Sequence, residues 1–278
     1  MTALSFTLVV LTLSALAGFL GALTGLGGGV IVVPALTLAL GVDMKYAIGA
    51  SLVSVIATSS GAASAYVRDG FSNIRIGMFL EIATTLGAVA GAFLASRVGT
   101  HTLAIVFGLM LLQAAYLSFK GISNDRVSTE SDALAARLRL GGSYPVDGTR
   151  QPYGVRHVPS GFAMMFGAGI LSGLLGIGSG AVKVVAMDRI MRIPFKVSTT
   201  TSNFMIGVTA AASAGLYFSH SYIDPRVAMP VMLGVLIGSL LGARVLVHSR
   251  VKTLRVVFGV VILALAIEMI ASGITGKI

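Results

Sequence analysis

Two glycine clusters hold the residues of this chain best placed to do chemistry. The first reads GLGGG, Gly25 to Gly29, and the second GIGSG, Gly176 to Gly180. Glycine inside a helix costs about 1 kcal/mol relative to alanine, so clusters this dense within apolar runs should break helices. A break frees backbone N–H groups. Glycines let consecutive N–H groups converge into a nest, and a helix starting just after adds the positive end of its dipole. Gly25, Gly27, Gly28 and Gly29, with Gly176, Gly178, Ser179 and Gly180, are thus candidate ligands for an anion. Neither cluster is a nucleotide loop, because both lack the last glycine of GxGxxG and no Gly-Lys-Ser/Thr follows.

Hydroxyl side chains follow each cluster. Ser51, Ser54 and Thr58 share one helix face, and STTTSN runs from Ser198 to Asn203, with Thr209 further along. Ser51, Thr58, Ser202, Asn203 and Thr209 can donate to an anion without fixing it tightly; bonding between helices is their competing role. Four ionisable residues, Glu81, Lys183, Arg244 and Glu268, fall inside apolar runs, where a central charge costs about 2.5–3.5 kcal/mol on insertion scales. Lys183, three residues past Gly180, is within reach of an anion in the nest; pairing with an acid or snorkelling are its alternatives. Arg244 lies one turn from a span end and is read as snorkelling. Glu81 or Glu268 could carry a coupling proton or form a structural ion pair.

The surroundings of these residues are those of a bilayer. The chain has 278 residues, 55% hydrophobic and 11% charged, against about 25% charged in a soluble domain. Its apolar blocks approach the roughly 20 residues that a spanning helix needs. The expected class is an all-α integral membrane protein, multi-pass, with lipid as its surroundings. The net charge of +10 is read as recording orientation rather than nucleic-acid binding. With no cysteine, disulfides and thiolate metal sites are excluded. His101, His157, His220 and His248 sit at span ends or in loops, and neither HExxH nor GxSxG occurs. The chain is therefore not expected to be an enzyme, and no cofactor or metal is expected.

A shift of 151 positions, Gly25 onto Gly176, also brings Lys45 onto Lys196, Ser51 onto Ser202, Thr58 onto Thr209, and Arg75 onto Arg226. This is a duplication. It divides the chain into a first transmembrane repeat, 1–120, a linker, 121–159, and a second repeat, 160–278. Each repeat reads as a broken-helix hairpin plus three transmembrane helices. In the linker, Thr129 and Asp132 form a capping box for a short amphipathic helix with Leu134 and Leu138 on one face, stopped at Gly141-Gly142. An antiparallel pair of repeats collects fourteen loop Lys and Arg on the linker side, against Lys45, Arg97, Arg226 and Lys277 opposite. A parallel pair loses that asymmetry, so the repeats are expected to be inverted, with a cytoplasmic linker. The GxxxG spacings at Gly87–Gly91 and Gly238–Gly242 read as helix packing.

Inverted repeats with a discontinuous helix in each are the pattern of a secondary transporter. At GALTGLGGGVIVVPAL (Gly21–Leu36), AIGASLVSVI (Ala47–Ile56), GLLGIGSGAVKVV (Gly173–Val185) and VSTTTSNFMI (Val197–Ile206), the chain resembles the sulfite exporter TauE/SafE family of bacterial membrane transporters. The likeness covers nearly everything except the linker. It implies export of small sulfur-containing anions: sulfite, sulfonates or organosulfur acids. A channel, or a carrier for another small anion, metabolite or cation, is the competing function, and a proton is the candidate coupling ion.

Overall fold

The computed structural model describes residues 3–24, 28–68, 72–120, 130–146, 149–248 and 251–277. Gly25, Gly27 and Thr129 lie outside the described residues, as does the side chain of Arg244. The described residues form eleven helices and one hairpin. Helix α1 (Ala3–Thr24) ends at the first glycine cluster. Then come α2 (Gly29–Pro34), continued by a π turn (Ala35–Ala39), α3 (Met44–Arg68), α4 (Ile74–Arg97) and α5 (Thr100–Lys120). The linker holds α6 (Ala133–Arg137), β1 (Gly142–Val146) and β2 (Thr149–Tyr153). The remainder is α7 (Val158–Leu175), α8 (Gly180–Val185) with a π turn (Ala186–Ile190), α9 (Phe195–Ser219), α10 (Pro225–His248) and α11 (Val251–Thr275).

The shift that aligns the sequence also aligns the elements. α2 falls on α8, the π turns fall on each other, and α3 and α4 fall on α9 and α10 at both ends. Even the bonds closing the π turns match, Val42 N–H to Leu36 O at 3.1 Å and Ile193 N–H to Met187 O at 2.9 Å. Pro34 is not the cause of the π turn, since Val185 stands at its place in the second half. Among the described residues, four stretches are long and apolar enough to cross a membrane: Leu4–Gly21, Ile74–Arg97, Val158–Leu175 and Pro225–Gly242. The protein is an all-α membrane protein apart from its linker hairpin.

The helices do not pack half by half. α1 lies along α10, and α7 lies along α4. Small residues let these backbones meet. A Cβ at Gly87 or Gly91 would strike the carbonyls of Phe166 and Ile170, and one at Gly169 or Gly173 those of Thr84 and Ala88. Gly234 and Gly238 meet the carbonyls of Leu11 and Ala15 in the same way. Residue numbers rise together across both contacts, so each pair runs parallel. α5 and α11 run antiparallel, with Gly108 against Ala266 and Ile270, and Gly273 against His101, Ala104 and Ile105. α4 also packs on α9, α10 on α3, and α3 on α9.

In the linker, Asp132 caps α6 by accepting from Ala135 N–H at 2.7 Å. That helix stops at Arg137, earlier than the Gly141-Gly142 pair suggests, because Arg139 turns left-handed (φ 51°) and the chain enters β1 at Gly142. Ala135, Leu140, Tyr144, Tyr153 and Val155 then bury against Ile76, Leu80, Met187 and Ile193. Asn73, the N-cap of α4, fastens this lid, its amide donating to Tyr153 Oη at 2.7 Å and to Leu140 O at 3.1 Å. The linker is thus folded against the start of α4 and the second π turn, while Leu134 of α6 and Leu138 just after it stay exposed.

Candidate functional site

The two glycine breaks meet. Ser51 of α3, fully buried, donates to the carbonyl of Gly176 at 2.8 Å. A Cβ built on Gly29 would lie 2.6 Å from Ser51 Oγ and 3.5 Å from Gly176 O, so glycine there lets the first break approach the second. Gly176 and Gly178 both take left-handed φ, 67° and 69°, which glycine adopts without penalty.

The halves differ where each short helix begins. Gly28, before α2, has φ −66°, whereas its counterpart Ser179, before α8, is left-handed at φ 43°. A serine there is uncommon. Its hydroxyl is tied to Ala168 O of α7 at 2.6 Å, which holds the second break against α7. Gly180 opens α8, and buried Ser202 of α9 donates to its carbonyl at 3.3 Å.

One turn into α8, Lys183 is completely buried and donates to Thr209 Oγ1 at 2.6 Å. Thr209 Oγ1 lies 2.6 Å from Glu81 Oε1 of α4, and Thr85 donates to the same oxygen at 3.2 Å. Glu81 Oε2 is buried and has no hydrogen-bond partner among the described residues. A buried ammonium, a hydroxyl and a buried carboxylate thus form one chain across α8, α9 and α4. Together the two charges cancel, which is what allows both away from water.

The expected ligands therefore fall into two linked groups. Gly29, Ser51 and Gly176 make the junction of the breaks, with Gly28 beside it before α2. Gly178, Ser179, Gly180, Ser202, Lys183 and Thr209 lie along the second break and its neighbours. Thr58 is half-buried and donates within its own helix, to Ser54 O at 3.0 Å and Val55 O at 3.3 Å. Asn203 is half-buried and enters none of these bonds. A cleft beside the junction is lined by Val30, Met110, Gln113, Ile177, Ser179 and Val182.

Glu81 is the residue missing from the sequence-derived ligand set. The signal for it lies in the duplication: the counterpart of Lys183 is Val32 and that of Glu81 is Met232. Two charge-for-apolar exchanges of opposite sign, on elements that meet, mark a pair.

Comparisons with known proteins identify the family. A family model described as Sulfite exporter TauE/SafE matches residues 10–269. The probable membrane transporter protein YunE of Bacillus subtilis (strain 168) is 27% identical over 98% of this chain and 99% of its own. A probable membrane transporter protein of Xylella fastidiosa (strain 9a5c) is 26% identical over 92% and 91%. The probable membrane transporter protein MJ0441 of Methanocaldococcus jannaschii is 23% identical over 91% of each. No solved structure matches. With nearly its whole length matched, this chain, a multi-pass inner-membrane transporter and not an enzyme, belongs to the sulfite exporter TauE/SafE family.

Proposed function

We propose that the chain is a secondary transporter that exports small anionic sulfur compounds, namely sulfite, sulfonates or organosulfur acids. It would do so by alternating access where its two broken helices meet. The observation that carries this reading is Lys183: a fully buried cation beside a left-handed, glycine-rich break. Discontinuous helices at a repeat interface are where transporters hold substrate, and an ionisable group inside the membrane marks a pathway by default. Ser51, Ser202, Thr209 and the break backbones supply hydrogen-bond donors around it. Residues 1–120 and 160–278 are taken as inverted halves, joined by the cytoplasmic linker 121–159. The antiparallel course of the equivalent helices α5 and α11 supports that inversion, because equivalent elements of parallel repeats would run the same way.

The test is uptake into inside-out vesicles of a panel containing sulfite, methanesulfonate, a thioether carboxylate and acetate. Wild type should take up one or more of the sulfur anions in preference to acetate, and K183M should fall at least tenfold while inserting normally. Equal uptake by both proteins would remove Lys183 from the site, and preference for acetate would reject the sulfur assignment.

A further inference from the structure

We propose that Glu81 is the internal substitute for the transported anion, and that it takes up one proton each time an anion replaces it beside Lys183. This rests on the anion-transport reading above and assigns the coupling ion and its carrier. Four observations lead to it.

First, the pair is not there to hold the fold. The duplication supplies its own control: the equivalent position of the other half is built from Val32 of α2, Thr58 of α3 and Met232 of α10. Val32 is fully buried and Met232 half-buried. The same scaffold therefore packs with no charge at that point. Replacing buried ion pairs by apolar residues is commonly neutral or stabilising.

Second, the pair is indirect. Thr209 stands between the ammonium and the carboxylate, donating toward Glu81 Oε1 while accepting from Lys183 Nζ. Its hydroxyl can turn to an anion that takes the place of Glu81. Met205 O, 2.9 Å away, offers it a second acceptor on its own helix.

Third, Glu81 has a vacant acceptor. Oε2 is buried and unpartnered among the described residues, a costly state for a carboxylate oxygen. A proton there makes the group neutral.

Fourth, among the described residues no hydrogen bond or ion pair links Glu81 or Lys183 to another charged group, and the charges of the π turn after α8, Asp188 and Arg189, lie five and six residues beyond Lys183. Lys183 from α8 is the charged group facing Glu81. α7 carries no ionisable residue, the ionisable residues of α9 are Lys196 and Tyr217, and those of α4 besides Glu81 are Arg75 and Arg97 at its ends. With Glu81 ionised and no anion, the site sums to zero. With an anion on Lys183 and Glu81 protonated, it again sums to zero. An anion without a proton leaves a net buried negative charge, and a proton without an anion leaves a net positive one. Anion and proton should therefore bind together, one to one, and cross together without moving net charge.

The experiment is calorimetric titration of the purified full-length protein with methanesulfonate, and separately with sulfite, in two buffers of different ionisation enthalpy. Methanesulfonate takes up no proton of its own. Wild type should take up close to one proton per methanesulfonate bound, and E81Q fewer than about 0.2. E81Q that still takes up a full proton overturns the assignment and leaves anion transport standing. Binding of neither anion by wild type overturns the transport reading and this inference with it. The companion variant, E81M/K183V, installs the residues of the other half. It should fold with a melting midpoint within a few degrees of wild type and bind neither anion. A fall of more than about 10 °C would show that the pair is structural and would overturn the proposal.

Discussion

Ser51 of α3 makes a hydrogen bond to the second break where the first packs beside it, so its loss should change how often the two part. In S51A the Oγ–Gly176 bond disappears and the buried Gly176 carbonyl loses that donor. One neutral hydrogen bond is worth about 0.5–1.5 kcal/mol net, and an orphaned buried acceptor costs about 1–3 kcal/mol. A net change of about 1–2 kcal/mol is a factor of 5–30 in an equilibrium. The chain contains no cysteine, so a single reporter is clean. Val55 serves: it is 4% exposed, one turn from Ser51, and its side chain lies against Gly29 and Gly178. Maleimide alkylation of V55C should be slow, and S51A/V55C should react roughly tenfold faster under conditions where opening and closing outpace reaction. S54A is the matched control, because the Ser54 hydroxyl donates to Ser51 O within its own helix. Unchanged reactivity in S51A, or an equal rise in S54A, would refute the claim that this bond gates the junction.

Three further outcomes follow from particular positions. G178V should abolish transport without preventing insertion, since φ 69° costs an L-residue about 1–2 kcal/mol and the new Cβ would lie 2.7 Å from Ile206 Cγ2; normal flux in vesicles would refute the constraint. With an impermeant maleimide, a cysteine at exposed Lys277 should label in intact cells and one at exposed Ser143 only in inside-out vesicles; labelling of both in the same preparation rejects the inverted topology. Burial raises the phenol of Tyr153 above its ordinary value near 10. Its stabilising contribution is therefore complete below that value and lost as pH rises through the folded one, so proteolysis of the linker should accelerate above about pH 10. Y153F should remove that alkaline step.

Most of the helical layout was legible because duplication writes each boundary twice. The breaks at Gly29 and Gly180, and the ends of α3 and α9, could be read from either half. The linker was legible only at Asp132. Its hairpin carries Pro145 and Pro152, which erase the alternation that marks a strand. Lys183 stood out because a lone charge in an apolar run is costly, whereas Glu81 needed a partner from a distant helix to acquire meaning. The bond from Ser51 to Gly176 was beyond the sequence entirely, since a hydroxyl beside a break fits packing and ligand binding equally well. Ser179 shows the limit in the other direction: glycine is expected at a left-handed position, yet serine occupies it and glycine at Gly28 stays right-handed.

The crosswise seating of α1 on α10, and of α7 on α4, has a mechanical result. Each tandem copy lends its first helix to the other and borrows one in return. Under the alternating access proposed above, the unit that pivots is therefore not a stretch of consecutive chain but a hybrid, α1, α2, α3 and α10 on one side and α4, α7, α8 and α9 on the other. Glu81, Thr209 and Lys183 all ride on the second hybrid, while Ser51 and Gly176 span the seam between them. Cutting the gene at the linker should accordingly yield two fragments that are useless singly and must be made together, as interlaced fingers close only when both hands are present.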